Sequence, residues 1–438
     1  MPFTKSDSLI PIIFFIALIC CGALLLLLPG SYRGNLSPTD AFFVAAAAVC
    51  NAGFSVLELC DFSLRSHIVI LFLIQLGAMG IIAFSVIILI IPGARFSFKR
   101  QNSIQNYYLD GVEYNPNKIL RNIILLTVAI ELTGALALYF LFKNAGERNP
   151  IFNSIFHSVS AFCNTGFSTF QNGLSSFASN SKVILVFSIL IFLGGIGFIV
   201  INDVLLCAIK SVKKGKNIMR HLSYHSKVVL GMTAVMIVFG TVFFFFMENH
   251  GVYKTHDLKD SFFNALFQSI NTRSGGFEIT SQADLHNSSK LLTGIFMFIG
   301  GAPGSIAGGI KLTVVFVLLF ATFKKSDCDG DINVLHRRIT RNTVHKATAY
   351  LVKTIALLLF FILLFLIVEP GNSETAIFEI LAAFTTAGLS MGGNLTIAGK
   401  WVMILAMFCG RIGLIALAMP VIRHKTYRVT YPEGRLLL

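Results

Sequence analysis

Charge is scarce in this sequence. Asp, Glu, Lys and Arg make up 13% of the 438 residues, about half the share of a soluble domain, while hydrophobic residues make up 55% and mean hydropathy is +0.76. No single aqueous core could hide that much apolar surface, so the chain is read as a polytopic membrane protein. Zinc-ribbon and dithiol patterns are also missing. The eight Cys (20, 21, 50, 60, 163, 207, 328 and 409) form no CxxC pair and fall mostly in apolar stretches, as packed free thiols do. Trp occurs once, so an interfacial aromatic belt must rely on Tyr and the 42 Phe. No HExxH, Walker or GxGxxG constellation occurs. The glycine-rich segment 300–309 lacks the strand and GK[ST] that phosphate binding needs. Enzymatic readings therefore find no support.

Long apolar runs lie near 9–28, 67–91, 119–142, 182–209, 227–247, 289–322, 347–368 and 398–422. Each approaches or exceeds the roughly 20 residues a bilayer crossing needs. The run 9–28 carries no cleavage site and is too long for a typical signal peptide, so it is read as a retained first span. Connections 93–121, 210–227, 323–353 and the tail from Arg423, with Lys5, carry 23 of the 35 Lys and Arg; the alternate connections carry 10. A net charge of +14 could mark a nucleic-acid surface, but this alternation is that of a membrane protein with both termini and the basic loops in the cytoplasm.

Between the spans, four short segments line up: DAFFVAAAAVCNAGFS (40–55), NSIFHSVSAFCNTGFS (153–168), NALFQSINTRSGGFE (264–278) and TAIFEILAAFTTAGLS (375–390). Each is a helix-compatible stretch too short to cross, then small or polar residues, then Gly before Phe or Leu. Gly53, Gly166, Gly276 and Gly388 stand at matched places, with Phe43, Phe156, Leu266 and Phe378 ten residues before them. Gly-Phe pairs are common in membrane proteins, but four such contexts at one period mark an internal repeat. The expected fold is an all-α polytopic membrane protein: four span–pore-helix–span repeats around one pseudo-fourfold pore, with eight transmembrane helices. The units expected are 1–93, 94–212, 213–325 (pore loop 262–278) and 326–423, followed by a tail 424–438.

Non-helical backbone survives at membrane depth only where protein or a watery cavity shields it. Four such loops around one axis supply a cavity lined by carbonyls that replace an ion's hydration shell. Glycine accepts the backbone angles required, and the negative carboxyl ends of the half-helices favour a cation. The residues alone reach a monovalent-cation pore.

These segments resemble the four selectivity loops of the Trk/Ktr/HKT superfamily of potassium transporters. IGGAPGSIAGGIK (299–311), CGRIGLIAL (409–417), HRRITRNTVHKA (336–347) and YPEGRLLL (431–438) are similar to its third-repeat motif, Arg-bearing last span, basic linker and Ktr-type end. The resemblance covers essentially the whole chain and is to the Ktr-type membrane subunit, because the extra pair of spans usual in Trk-type subunits is missing. It implies potassium as the substrate, since Gly rather than Ser stands at position 53. Sodium is a second candidate ion, and no organic cofactor is expected on this chain. The implied filter comprises Cys50, Asn51, Ala52 and Gly53; Cys163, Asn164, Thr165 and Gly166; Ser274, Gly275 and Gly276; and Thr385, Thr386, Ala387 and Gly388. In the third loop the additional glycine is expected to loosen that quarter. The family also implies a homodimer in the cytoplasmic membrane, docked on a cytoplasmic ring of Rossmann-like nucleotide-binding subunits, with lipid around it and no nucleic acid.

Gly300, Gly301, Gly304, Gly308 and Gly309, with Ala302, Pro303 and Ser305, interrupt a 34-residue apolar stretch. Small-residue helix packing could explain them. An unwound loop obstructing the path below the filter, where the family places a gate, fits better, because so many glycines do not hold a helix. Arg411, deep in the last span, needs polar company and is expected to donate to that loop. Lys311 either joins it or snorkels to the cytoplasm. Glu131 is read as a carboxylate bonded between helices rather than a proton relay. Arg273 must point behind the filter, with Glu278 as its expected partner, and His157 is a packed residue. A secondary carrier coupled to sodium or protons is the alternative. Such carriers usually show two repeats and several ionisable groups at depth, whereas four repeats with few such groups favour the pore.

Overall fold

The computed structural model describes residues 5–90, 116–214 and 222–413, apart from 256, 326, 328, 329 and 394. Much of the first two basic loops and the tail 424–438 with its YPEGRLLL end lie outside the described residues. Most of the described chain is helical. Its helices are α1 (Lys5–Leu26), α2 (Pro38–Val49), α3 (Leu64–Ile90), α4 (Pro116–Asn144), α5 (Pro150–Phe162), α6 (Ser181–Ile196), α7 (Phe198–Lys214) and α8 (Tyr224–Glu248). They continue with α9 (Leu258–Asn271), α10 (Asn287–Phe298), α11 (Leu312–Phe323), α12 (Arg341–Val368), α13 (Ser373–Thr385) and α14 (Ile397–Phe408). A hairpin of β1 (Ile332–Val334) and β2 (Arg337–Ile339) pairs Ile332 with Ile339 in the third basic connection.

The four short helices α2, α5, α9 and α13 begin two to six residues before the positions read from the apolar pattern, and for α2, α5 and α13 the first turn explains why. Ser37 Oγ accepts the Asp40 N–H (3.1 Å) ahead of α2, and Asn372 Oδ1 accepts the Glu374 N–H (3.0 Å) ahead of α13. Pro38 and Pro150 fill first-turn positions that have no intrahelical partner for an N–H.

Each short helix packs on the long helix before it: α2 on α1, α5 on α4, α9 on α8 and α13 on α12. Each also packs on the long helix that follows the previous short one: α5 on α3, α9 on α6, α13 on α10. The series closes where α2 meets α14, joined by a Lys400 Nζ–Asp40 Oδ1 ion pair (2.6 Å) and by Phe42 against Trp401. Inside, Phe43, Phe156 and Phe378 are buried as their matched positions imply, while Leu266 is half-buried. Outside, Leu125, Leu132 and Leu136 on α4, Val235, Val238 and Val242 on α8, and Leu359, Leu363 and Ile367 on α12 are exposed at helical spacing. Such faces suit lipid rather than water.

Among the described residues, three helices are long and apolar enough to cross a bilayer: Arg121–Asn144, Tyr224–Glu248 and Arg341–Val368. The run 182–209, expected as one span, is instead two helices meeting at 103°. The turn falls on Gly197, whose φ of +91° is a conformation that glycine adopts readily and a side chain resists. The run 289–322 is likewise split, into α10 and α11, by the irregular segment 299–311.

Candidate functional site

The short helices all end beside one another. After α2, α5 and α13 the chain turns through left-handed residues, Asn51, Asn164 and Thr386 (φ 51° to 52°), and then through Gly53, Gly166 and Gly388 (φ 70°, 84° and 75°). The third segment reaches Gly276 (φ 73°) without a left-handed residue at Ser274. A Cβ on Gly53 would come within 3.0 Å of the Thr165 carbonyl oxygen, and one on Gly166 would meet the Gly276 backbone equally closely. One on Gly276 would lie 2.9 Å from Thr165 O and 3.1 Å from Ala387 O, and one on Gly388 would lie 2.5 Å from Ala52 O. The four glycines thus form a closed ring in chain order, with carbonyls of neighbouring segments pressed where side chains would stand. Side chains of Cys50, Asn51, Ala52, Cys163, Asn164, Thr165, Ser274, Thr385, Thr386 and Ala387 are all buried around it.

Hydrogen bonds join the segments. Asn51 Nδ2 donates to Thr165 Oγ1 (2.9 Å) and to the Ile74 carbonyl (3.2 Å). In the amide orientation that satisfies both ends, Asn164 accepts from Ser274 Oγ (2.9 Å) and the Gly195 N–H (3.2 Å). The third segment is not loose at its additional glycine. Asn271 Nδ2 donates to the Phe277 carbonyl (2.6 Å) and its Oδ1 accepts the Phe277 N–H (3.0 Å), and Gly275 lacks the Cβ that would collide with that Oδ1. Glu131 sits between helices as read: Gln75 Nε2 donates to it (3.2 Å), and Cys163 Sγ lies 3.7 Å from its other oxygen.

Segment 299–311 is non-helical and folds back on itself through a bridge between Ile299 and Ile310. It lies over the bend between α6 and α7. Ala302 N donates to Gly195 O (3.1 Å), Ile306 N to Gly194 O (3.4 Å) and Phe198 N to Gly304 O (3.3 Å). Gly308 lies against Thr385 O and Thr386 Oγ1, next to the ring. Three cations donate to its carbonyls: Arg411 Nη1 to Ile306, Arg273 Nη2 to Gly300 (3.3 Å) and Lys311 Nζ to Ala307 (2.6 Å). Lys311 therefore turns inward rather than snorkelling. Arg411 lies in a π-helical turn, Cys409–Gly413, and its Nη2 also donates to Asn51 Oδ1 (2.8 Å). Arg273 takes the loop carbonyl and not Glu278, whose carboxylate instead accepts the Ser390 N–H (3.0 Å).

One set of residues escaped the sequence reading. Gly77, Gly194 and Gly410 each lack the Cβ that would strike the carbonyl of Val49, Phe162 or Phe384 at the end of a short helix. The matching Gly300 packs on Gly308 O instead. The recurring triplets QLG, FLG, FIG and FCG, one after each of the four matched segments, were the available signal.

Comparison with known proteins places these features in a family context. Residues 4–426 match the family model TrkH, described as a cation transport protein. The Ktr system potassium uptake protein B of Vibrio alginolyticus is 30% identical over 99% of this chain and 95% of its own. That of Bacillus subtilis is 31% identical over 97% and 94%. The potassium/sodium uptake protein NtpJ of Enterococcus hirae is 31% identical over 97% and 95%. The crystal structure of the potassium transporter TrkH from Vibrio parahaemolyticus superposes with a TM-score of 0.77 at 21% identity, covering 96% of this chain and 86% of that one.

Proposed function

The chain belongs to the TrkH family of cation transport proteins, and on that premise we propose that it takes up potassium across the cytoplasmic membrane through the glycine ring. Four span–pore-helix–span repeats, divided near 93, 212 and 325, would give eight spans around one pore with both termini in the cytoplasm. The observation that carries the reading is the ring itself. Four glycines at positive φ leave only backbone at the axis, and backbone carbonyls are the oxygens that can replace water around a potassium ion. The carboxyl ends of α2, α5, α9 and α13 add partial negative charge beside it. Relatives named for potassium uptake, together with Gly53, support potassium over sodium, and the name of the Enterococcus hirae relative keeps sodium as a second ion.

Segment 300–309 is the proposed gate, held shut by Arg411, Lys311 and Arg273. The Ktr system relatives support a cytoplasmic regulatory partner. We take this partner to be a ring of nucleotide-binding subunits under a homodimer of this chain, meeting the basic loops and the β1–β2 hairpin. The filter reading is tested by Gly53→Ser in proteoliposomes. A Cβ there must displace the Thr165 carbonyl, so sodium permeation should rise relative to potassium. A folded variant with an unchanged ratio removes Gly53 from the filter.

A further inference from the structure

Beyond the ring, each segment continues to a residue two positions past its glycine: Ser55, Ser168, Glu278 and Ser390. The three serines make the same small turn, accepting the N–H two residues on: Leu57 (3.3 Å), Phe170 (3.2 Å) and Gly392 (3.0 Å). Their hydroxyl protons go to different places. Nine residues before the glycines, on the short helices, stand Val44, His157, Phe267 and Glu379. Glu379 Oε1 accepts from Ser390 Oγ (2.6 Å) and from the Met391 N–H (2.7 Å). His157 Nδ1 faces the Asn153 carbonyl (2.7 Å) and must carry the proton there, which leaves Nε2 to accept from Ser168 Oγ (3.0 Å). The His157 ring is wholly buried and stacked on Phe170 at 4.4 Å. Val44 offers no acceptor, and the Ser55 hydroxyl turns to its own Leu57 carbonyl. Phe267 offers none either.

We infer that His157 and Glu379 are equivalent positioning residues that hold the outer lips of the second and fourth filter segments through Ser168 and Ser390. The ring runs in chain order, so these two segments face each other across it. The inference rests on the filter reading above. Hydrogen bonds from a short helix fix how far the chain beyond the glycine can shift, and so how far the carbonyls before it can rotate. The third segment is held one residue nearer its glycine, by Asn271 of its short helix to both the N–H and the carbonyl of Phe277, whereas Ser55 of the first segment bonds within its own turn. Ser390 is held twice, through its hydroxyl by Glu379 and its N–H by Glu278.

The test is potassium-to-sodium permeability in proteoliposomes for Glu379→Leu, Glu379→Gln, Ser390→Ala and the Glu379→Leu/Ser390→Ala pair, with Gly388→Ala alongside. Leaving the Ser390 hydroxyl and the Met391 N–H without their acceptor should lower the ratio about tenfold in Glu379→Leu. Ser390→Ala should lower it as well, and the pair no further than the worse single change, because both remove one link. Glu379→Gln, which keeps an acceptor, should recover most of the loss. A packing role alone would alter yield and not this pattern. If Glu379→Leu does not fold, Ser390→Ala, which removes only a hydroxyl, decides. An unchanged ratio in Ser390→Ala, with Gly388→Ala altered, overturns the support and leaves the filter standing. An unchanged ratio in both overturns the filter reading itself.

Discussion

Removing the Arg411 side chain should open the proposed gate without a partner. In Arg411→Ala the Ile306 carbonyl loses its charged donor and Asn51 Oδ1 loses its bond. The loop keeps its bonds to the α6 end at Gly194 and Gly195, the Lys311 bond to Ala307 and the Arg273 bond to Gly300, so it should loosen and not unfold. A hydrogen bond to a charged group contributes about 1.5–3 kcal/mol. If the loop contact exists only in the closed state, its loss moves the closed-to-open ratio by about ten- to a hundredfold. Part of this is returned, because a buried guanidinium no longer needs desolvation, so a rise near tenfold is expected. The assay is potassium uptake into proteoliposomes containing the chain alone, normalised to inserted protein. Asn51 keeps its bonds to Thr165 and Ile74, so the potassium-to-sodium ratio should change little. Parent-level flux from folded Arg411→Ala would refute the latch. A large fall in selectivity would show that Arg411 serves Asn51 and the ring rather than the loop.

Deleting Ala302–Ala307 removes the Ile306 and Ala307 acceptors together. It should give higher partner-free flux than Arg411→Ala at parental selectivity, measured in the same vesicles; flux no higher than the parent's makes the loop packing. Single cysteines at Asn35 or Asn249 in a Cys-free background should react with an impermeant thiol reagent added outside intact cells, and those at Lys213 or Arg338 should not; the reverse pattern inverts the orientation. In the β1–β2 hairpin, the Arg341 backbone N–H and then the Arg338 guanidinium hold the Asp331 carboxyl below its ordinary range. Its contribution is therefore present at neutral pH and lost as pH falls through that lowered value. Asp331→Asn should reduce hydrogen-exchange protection over 332–339 at pH 7, with the difference from the parent vanishing in acid.

The four matched segments were legible in the sequence because they are written in residues that have no substitute. Only glycine reaches the ring conformation without driving a Cβ into a neighbour's carbonyl, so Gly53, Gly166, Gly276 and Gly388 stood out at one period. Glycines 300–309 were legible for a related reason: too many helix breakers lie in one apolar run. The bend at Gly197 was not, because apolar composition is the same whether a span is straight or broken. Its cause also lies about a hundred residues away, in the segment that docks on it. The partner of Arg273 was hidden for another reason. A search for opposite charge points to the Glu278 carboxylate, yet this cation donates to a backbone carbonyl, which every residue carries and no pattern marks. His157 shows a third limit: read alone it is a packed ring, and its equivalence to Glu379 emerges only when Ser168 and Ser390 are seen in the same turn.

The closure between α14 and α2 has a consequence for how the protein is made. Lys400 and Asp40 at one level, and Arg411 and Asn51 at another, are each 360 residues apart. No chain still emerging from the ribosome can join either pair until almost its whole length has been synthesised. Three quarters of the ring can assemble in order as their segments insert, each on the one before, but the fourth side stays open until the last helix arrives. Contacts this distant are slow to form, and the step that forms them also brings Arg411 to Ile306 and Asn51. On the proposed reading of the ring as conduit and Arg411 as latch, completing the one and setting the other are a single event. On that reading, no finished ring would cross the membrane without its latch.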